Sequence, residues 1–460
     1  MNGPGDLVLL FSIILYLQVV TLILFYEIFI KKTDSLEPLI VFVLFYTFFV
    51  LPLPIRAYVT NIIEGSVTPY MDELYPYLPS SVLLSTIGLL ILFIVYHSKL
   101  VYILAIKIPL PPAVTPKGSR FAFLFLMGLS ILLCYLLSLP LGGVMSLFLK
   151  GYAASAELFG KGYLAICFPW AFIAILFLLQ RYALYHKIID IAAFCVFFAS
   201  MVFIQLVMGN RSLIITMALA TFFFVHYSIR RFRAWEIFFF GLLAFITLSI
   251  YGLLRSSFYE GIDFFITNTK KSFVNIIESG QLIRSMFYTI TIGEFVVPFE
   301  TFPQMIRTVG HEIQPLFGLS FIRAPIYYIP QVIFPDRPLP LSNWYMKTFY
   351  GNEFGLHQGR QFFFLAEGYL NFGIPGVFMV MAIWGIFLGV LRVYKNLADG
   401  EPGALLIYAV TLAFIFRAIA GDFTSLVVGF PTQNLVPALI GLLISTNFRR
   451  WRLAKRRSKL

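Results

Sequence analysis

The chain has 460 residues, of which 60% are hydrophobic and 12% are charged, and its mean hydropathy is +0.87. These values lie far outside the range of soluble globular domains and exclude that class. Apolar runs of about 20 residues, the length that crosses a bilayer core, recur along the chain. The sequence therefore predicts an all-α, polytopic integral membrane protein.

The net charge of +12 could point to a nucleic-acid partner. However, the basic residues lie in short loops between apolar runs, where membrane topology explains them, and we expect no nucleic acid to bind. The cysteines all lie within apolar segments, and their spacing fits neither a disulfide framework nor a zinc site. We expect three cysteines to pack in the interior: Cys134, Cys167 and Cys195.

Eleven membrane spans are predicted. The first is expected to be retained, because residues 1–6 carry neither a basic region nor a small-residue cleavage site. Eight spans form an N-terminal group within residues 1–254, three form a C-terminal group within residues 366–446, and residues 447–460 form a basic tail. The predicted spans are Leu7–Ile30, Leu39–Ile55, Val82–Leu104, Phe121–Leu149, Leu164–Leu179, Ile188–Met208, Leu213–Tyr227, Trp235–Leu254, Phe372–Leu391, Ala404–Ala420 and Leu426–Ser445.

Every second connection between these spans is basic, and the short connections between them are poorer in Lys and Arg. By the positive-inside rule, this alternation predicts a cytoplasmic C-terminus and, with eleven spans, an N-terminus outside. The basic residues that carry the pattern are Lys31, Lys32, Lys99 to Arg120, Arg181, Lys187, Arg230, Arg231, Arg233, Arg392, Lys395 and the tail from Arg449 to Lys459.

Residues 255–365 form the one long polar interval and are predicted to face outward as a large external loop. Long loops cross the membrane largely regardless of their charge, so its basic residues do not contradict the topology. Two stretches within it, Ser285–Phe302 and Leu316–Phe334, are half apolar and carry charges and prolines. We interpret them as short interfacial or re-entrant helices; a hidden pair of true spans is the alternative.

Arginines at the outer side are the first candidates for chemistry, because ionisable groups at a membrane are costly and tend to be functional. Arg211 and Arg255 lie at the outer ends of consecutive predicted spans. With Arg284, Arg323 and Arg360 from the loop they could form a cationic bowl, since the arginine fork suits phosphate. The alternative is that each is an interfacial anchor or one half of an ion pair.

Further candidates are titratable groups near the same side. Arg417 lies one turn from the outer end of the tenth span, and Asp422 follows just beyond it. His311 and His357 are the outward histidines, and each could equally be a solvated or structural residue. Glu367 lies where the loop re-enters the membrane, so we expect it either to pair with an arginine or to act as a base.

Motifs of soluble enzymes are missing from the sequence. It contains no G-x-x-x-x-G-K-[ST], no H-E-x-x-H, no G-x-S-x-G and no D-x-D. The outer loops also lack a convincing cluster of acidic residues. We therefore predict neither a metal site nor a cofactor.

Three segments carry a resemblance to a known family. They are Gly209–Leu213 at the start of a span, Gly318–Phe321 followed by Ile329–Pro338, and Glu367–Gly376 at the entry to the next span. With the pattern of spans, they resemble the O-antigen polymerases of the Wzy type, which are bacterial inner-membrane proteins with about a dozen spans and a large periplasmic loop. The related O-antigen ligases share this GT-C-like architecture.

The resemblance implies a glycosyl transfer at the periplasmic face of the bacterial inner membrane. A hydroxyl of one oligosaccharide repeat unit on undecaprenyl pyrophosphate would attack the anomeric carbon of a second chain, and lipid pyrophosphate would leave. The arginines would stabilise that leaving group, and His311, His357 or Glu367 would accept the hydroxyl proton. The implied partners are the lipid-linked oligosaccharides, membrane lipids and a chain-length regulator.

Two other functions remain open at this point. A ligase would differ only in the acceptor. A transporter, such as a flippase for lipid-linked sugars, would carry charges near the bilayer midplane on broken helices. The charges in this sequence lie at span ends and in one long loop, which favours chemistry at the outer face.

Overall fold

The computed structural model describes residues 4–60, 71–150, 163–254, 296–351, 361–398 and 400–446. These residues are overwhelmingly helical. No β-strand occurs among them, and two isolated bridges join Val114 to Thr446 and Val309 to Ile313. The prediction of an all-α protein is confirmed.

Nineteen α-helices are described. Short 3-10 turns and π-helical turns extend several of them, most notably at 26–30 and 425–435. The α-helices are α1 Pro4–Phe25, α2 Pro38–Val50, α3 Pro52–Thr60, α4 Met71–Leu74, α5 Leu78–Tyr96, α6 Lys99–Ala105, α7 Pro116–Ser138, α8 Val144–Lys150, α9 Cys167–Tyr185, α10 Ile188–Val207, α11 Arg211–Ser228, α12 Ala234–Leu254, α13 Val297–Thr308, α14 Leu319–Arg323, α15 Leu341–Tyr350, α16 Phe364–Phe372, α17 Ile374–Leu397, α18 Pro402–Ile419 and α19 Val436–Ser445.

Ten helical segments among the described residues are long and apolar enough to cross a membrane. The chain is therefore a multi-pass membrane protein. The predicted eighth span lies in α12. The part of α12 that meets the criterion of apolarity, Ala234–Leu243, is shorter than the ten segments. The count of eleven spans, and the sides on which the two termini lie, stay predictions. The ten segments are Asp6–Ile30, Pro38–Val59, Tyr75–Tyr96, Pro116–Leu141, Cys167–Tyr185, Ile188–Val207, Arg211–Ser228, Ile374–Leu397, Pro402–Ile419 and Ser425–Ser445.

Helix α18 is the centre of the bundle, with 83% of its apolar window buried. It packs against α11 on one side and against α2 and α9 on others. Around it, α7, α9, α10 and α19 form one group, while α1, α5, α16 and α17 form a second. The rims of both groups expose large apolar side chains, as expected for surfaces that face lipid.

Two short helices lie inside this bundle. The ring of Phe364, at the start of α16, lies 5.8 Å from that of Trp384, near the middle of α17. The ring of the neighbouring Phe363 stacks on that of Tyr46 of α2 at 6.1 Å and contacts that of Phe299 of α13 edge-to-face at 5.7 Å. Helices α13 and α16 therefore begin at mid-depth and cross only part of the bundle.

The long polar interval, residues 255–365, does not lie wholly outside the bundle. Helix α16, Phe364–Phe372, straddles the predicted boundary at 365/366, and the described residues 296–308 pack inside the bundle. In contrast, Phe317, Ile322 and Ile333 are largely exposed, as an interfacial segment would be. The side of the membrane that the interval faces stays a prediction.

Candidate functional site

Glu367 lies on α16 and is buried, with 1% of its surface exposed. The Ser320 hydroxyl donates a hydrogen bond of 2.6 Å to its Oε1 atom. The Phe423 amide donates one of 2.5 Å to its Oε2 atom. Both oxygens are thus held by donors from two other chain segments. Neither donor is an arginine, so an ion pair with an arginine, one of the two alternatives expected for Glu367, is not found among the described residues.

Asn371, one turn further along α16, fixes the Ser320 segment. Its Oδ1 accepts from the Gly318 amide at 3.0 Å, and its Nδ2 donates to Ser320 Oγ at 2.7 Å. Backbone bonds from Leu316 to the Leu370 carbonyl and from Phe317 to the Asn371 carbonyl complete the junction. Two of the three segments that carried the family resemblance therefore meet here.

Glycines let α16 and α17 turn back on each other. Gly373 joins the two helices with φ +62°, a conformation that side-chain-bearing residues rarely adopt. A Cβ atom on Gly376 would lie 1.9 Å from the Gly368 carbonyl oxygen, so no larger residue fits there. The Gly-rich run after Glu367 is thus the turn of a tight helical hairpin.

Asp422 lies beside Glu367, in the turn that follows α18. It is buried, and its Oδ1 accepts hydrogen bonds from the Ser425 amide at 3.0 Å and the Ser425 hydroxyl at 3.1 Å. Burial, with a smaller contribution from Asp422, raises the pKa of Glu367 to about 8. Burial also raises the pKa of Asp422. Glu367 is therefore mostly protonated at pH 7 and can both give and take a proton near neutrality.

Tyr327 lies in the same cluster, on the 3-10 turn after α14. Burial and the nearby Asp422 raise its pKa to about 12, while the positive charges of Arg337 and Arg323 oppose that rise. The Arg337 guanidinium lies 5.5 Å from the centre of the Tyr327 ring and donates to the Ile329 carbonyl at 2.9 Å. Two arginines and two acids thus act on one phenol.

Arg417 lies near the end of α18, five residues before Asp422 in the chain. Its Nη1 donates a 2.6 Å hydrogen bond to Gln433 Oε1, within a π-helical turn. The Val427 carbonyl, in the preceding π-helical turn Ser425–Gly429, accepts a hydrogen bond from the Tyr328 hydroxyl. π-helical turns within longer helices are frequent at functional sites, and these two consecutive turns contact Arg417 and the 3-10 turn that bears Tyr327.

The structure brings together Arg323, Glu367 and Asp422 of the predicted site residues. Arg211 opens α11, where the Asn210 side chain accepts from the Leu213 amide, and it is not among the charges that act on Tyr327 or Glu367. His311 lies in an exposed turn after α13. The remaining predicted residues lie outside the part of the chain that the structure describes: Arg255, Arg284, His357 and Arg360.

Ser320 and Arg337 were missed as site residues. Ser320 and Arg337 belong to the segments that carried the family resemblance, which is the signal that could have indicated them. Among the described residues, no group of three or more His, Cys, Asp or Glu side chains could hold a metal ion. The site is therefore an acid pair, a serine, a tyrosine and two arginines at one end of a helical membrane bundle.

Comparison with known proteins finds no match: no family model, no curated protein and no solved structure is similar to this chain.

Proposed function

We propose that this protein is a glycosyltransferase that joins lipid-linked oligosaccharide repeat units, the reaction of O-antigen polymerases. The acceptor hydroxyl attacks the anomeric carbon of the donor, and undecaprenyl pyrophosphate leaves. The observation that carries the proposal is the buried Glu367 carboxyl in one cluster with Tyr327, on which two arginines act, next to a surface that is apolar and exposed.

Arg323 and Arg337 supply the positive charge that the reaction needs. As the glycosidic bond breaks, negative charge builds on the leaving pyrophosphate, and fixed cations stabilise that charge. A guanidinium group donates two parallel hydrogen bonds to a phosphate, which also orients it. Both arginines act on Tyr327, so a pyrophosphate bound there would lie close to the acid pair.

Ser320 and Glu367 provide a route for the proton of the attacking hydroxyl. Ser320 is partly exposed and already donates to Glu367 Oε1, whereas Glu367 is buried. The acceptor hydroxyl gives its proton to Ser320 Oγ as the serine proton passes to Glu367, leaving a neutral serine and a protonated acid. With a pKa of about 8, about one in ten Glu367 carboxyls is ionised and ready at pH 7. A pKa near the working pH suits a general base.

The apolar surface beside these groups supports a lipid-borne substrate. Ile322 and Ile333 are 74% and 73% exposed, and Arg323 lies directly next to Ile322 in the chain. A segment with exposed apolar side chains and an adjacent cation suits the boundary between acyl chains and head groups. A polyprenyl tail would thus lie in the bilayer while its pyrophosphate reaches the arginines.

The proposal includes a location and partners. The chain acts in the bacterial inner membrane with Glu367 at the periplasmic side, the N-terminus periplasmic and the C-terminus cytoplasmic, as the basic connections indicate. Its substrates are undecaprenyl-pyrophosphate-linked oligosaccharides, and a chain-length regulator is a further candidate partner.

The surface polysaccharide of a deletion strain tests the proposal. Without the polymerase, the lipid core should carry a single repeat unit, and re-expression of the chain should restore the ladder of longer products. Loss of every repeat unit would contradict the proposal, because it would indicate a ligase or a flippase.

A carrier is the second candidate, and one observation favours it. Helices α13 and α16 are broken segments that meet at mid-depth, and α13 carries the buried Glu300, whose carboxylate accepts from the Tyr350 hydroxyl at 2.9 Å. Carriers often bind their substrates at such breaks. Movement of a lipid-linked oligosaccharide across liposomes that hold the purified chain, without any polymer, would establish this function instead.

A further inference from the structure

A second concentration of buried charge lies at the opposite end of the bundle from Glu367. Helix α17 begins at Ile374, directly after the helix that carries Glu367, and runs for 24 residues. At 1.5 Å per residue its ends are about 36 Å apart. Arg392 and Lys395 lie in its last turns, so their surroundings are separate from the site described above.

The histidines of this region each lie against a carboxylate. His97 Nε2 is 2.8 Å from Oε1 of Glu27, which is fully buried. His226 Nε2 is 3.1 Å from Oδ2 of Asp34, which also accepts from the Leu36 amide at its other oxygen. Glu27 and Asp34 thus each have a histidine as a close partner, and the charge of Arg392 acts on Glu27 from beyond ion-pair distance.

Arg392 has no carboxylate of its own. Its guanidinium lies 4.5 Å from the centre of the Tyr96 ring, 3.3 Å from His97 Nδ1 and 3.5 Å from the Tyr96 carbonyl oxygen. Within the described residues no Asp or Glu forms an ion pair with it. Because a guanidinium carries five N–H donors, several remain for a ligand.

Lys395 is the second cation here. Its Nζ lies 3.8 Å from Glu37 Oε2 and 5.1 Å from the centre of the Tyr227 ring. Burial raises the pKa of Glu37, which also accepts a hydrogen bond from the Tyr96 hydroxyl at 3.3 Å. Lys395 and Glu37 thus form a long ion pair, and the guanidinium of Arg392 carries the charge that no carboxylate of the described residues neutralises in an ion pair.

Arg392 and Lys395 both line a cavity of about 520 Å³. This volume is typical of small-ligand sites in proteins. Two acids from the α1–α2 connection and two cations from the end of α17 line it, together with neutral polar side chains: Asp34, Glu37, Arg392, Lys395, Tyr102 and Asn396.

We propose that this cavity binds the phosphate group of an anionic ligand, with Arg392 as the bidentate donor and Lys395 as the second cation. The planar guanidinium matches two phosphate oxygens, and the hydroxyl of Tyr102 and amide of Asn396 supply neutral donors. The ligand is either the head group of an anionic phospholipid, since basic pockets between span ends hold such groups, or a soluble phosphate compound.

Binding is measured on the purified full-length chain in detergent. Phosphatidylglycerol, phosphatidylcholine and inorganic pyrophosphate are titrated separately, and the shift in melting temperature gives an apparent dissociation constant. We expect the double variant Arg392→Gln/Lys395→Gln to bind on the order of 10- to 100-fold more weakly than the wild type. The matched control, Lys99→Gln/Lys107→Gln, removes two exposed cations near the cavity and should bind as the wild type does.

The ligand that shifts the melting temperature shows whether the cavity binds phosphate and from which source. A shift with phosphatidylglycerol alone supports the proposal and identifies a lipid head group, whereas a shift with pyrophosphate alone supports it and identifies a soluble ligand. No shift with either anion, a shift of the same size with phosphatidylcholine, or equal losses in both double variants would overturn the proposal.

A measurement on the wild type keeps the test independent of how the variants fold. An amine-reactive reagent is applied with and without the anion that gave the larger shift, and the modified peptides are quantified by mass spectrometry. Protection of Lys395 with unchanged labelling of Lys99 is the expected result. Equal labelling of Lys395 with and without the anion would count against the site.

Discussion

Ser320 donates a 2.6 Å hydrogen bond to the buried carboxyl of Glu367, although 47 residues separate the two in the chain. This bond joins α14, the short helix that carries the exposed Ile322, to the half-length helix α16 inside the bundle. In the proposed reaction it is also the path of the proton. Because the hydroxyl donates to the carboxylate, it stabilises the ionised form and lowers the pKa of Glu367 against the effect of burial.

The pH dependence of polymerisation should therefore respond to Ser320. If Glu367 is the base, the turnover rate rises with pH and reaches half its maximum near pH 8. Ser320→Ala removes the donor, so it should lower the rate and move that midpoint upward. The measurement is the initial rate between pH 6 and 10 in proteoliposomes. A rate independent of pH in the wild type, or an unchanged midpoint in Ser320→Ala, would rule out this role.

The stability of the folded protein should also depend on pH through Glu367. Its pKa is about 8 in the folded state and ordinarily 4.5, so the folded state holds the proton more tightly. This contribution to stability is fully present below pH 4.5 and is lost as the pH rises to 8. Glu367→Gln cannot ionise at this position, so that loss is absent in the variant. The melting temperature of the variant minus that of the wild type should therefore increase from pH 5 to pH 9. Parallel curves would contradict the raised pKa.

The hairpin of α16 and α17 should not tolerate a methyl group at Gly376. In Gly376→Ala the new carbon would meet the Gly368 carbonyl, so the helices must separate. Overpacking of this kind typically costs about 1–3 kcal/mol, and thermal melting in detergent should show a lower midpoint. The control is Gly128→Ala in α7, where a Cβ atom meets nothing within 4 Å. A wild-type midpoint for Gly376→Ala would contradict the close approach.

The two arginines beside Tyr327 should require the guanidinium as well as the charge. Lysine keeps the charge and loses the bidentate fork, so Arg323→Lys and Arg337→Lys should lose on the order of 100-fold in rate. Arg307→Lys is the control, since Arg307 pairs with Glu73 and Glu312 outside the cluster. Rates and protein levels are measured in the same membranes. Full activity in both variants would leave the arginines as interfacial anchors.

Most of the spans could be predicted from the sequence, because a long apolar run must cross the bilayer whatever it packs against. The half-length helices could not be assigned in this way. Helix α16 has nine residues, and a short apolar helix gives the same pattern whether it lies on the surface or inside the bundle. The contacts of Phe364 with Trp384 and of Phe363 with Tyr46 place the start of the helix inside the bundle. Both contacts join parts of the chain that are distant in sequence.

The candidate site shows the same division. Glu367 could be predicted as a candidate site residue. Placing an acid where a loop re-enters the membrane costs free energy, so such residues tend to be functional. The actual partners of Glu367 could not be predicted, because Ser320 and Phe423 reach it through tertiary packing. Arg337 was overlooked because it is one of nine basic residues in the interval 255–365, although it belongs to the segment Ile329–Pro338 that carries the family resemblance.

The most direct test of the account is polymerisation by the purified protein in liposomes that contain lipid-linked repeat units. The wild type should produce a ladder of longer lipid-linked chains, and Glu367→Gln should reduce the rate by about 100-fold or more. Glu312→Gln, which changes an exposed glutamate in the turn after α13, should retain the ladder. No polymer from the wild type, or a full ladder from Glu367→Gln, would contradict the account.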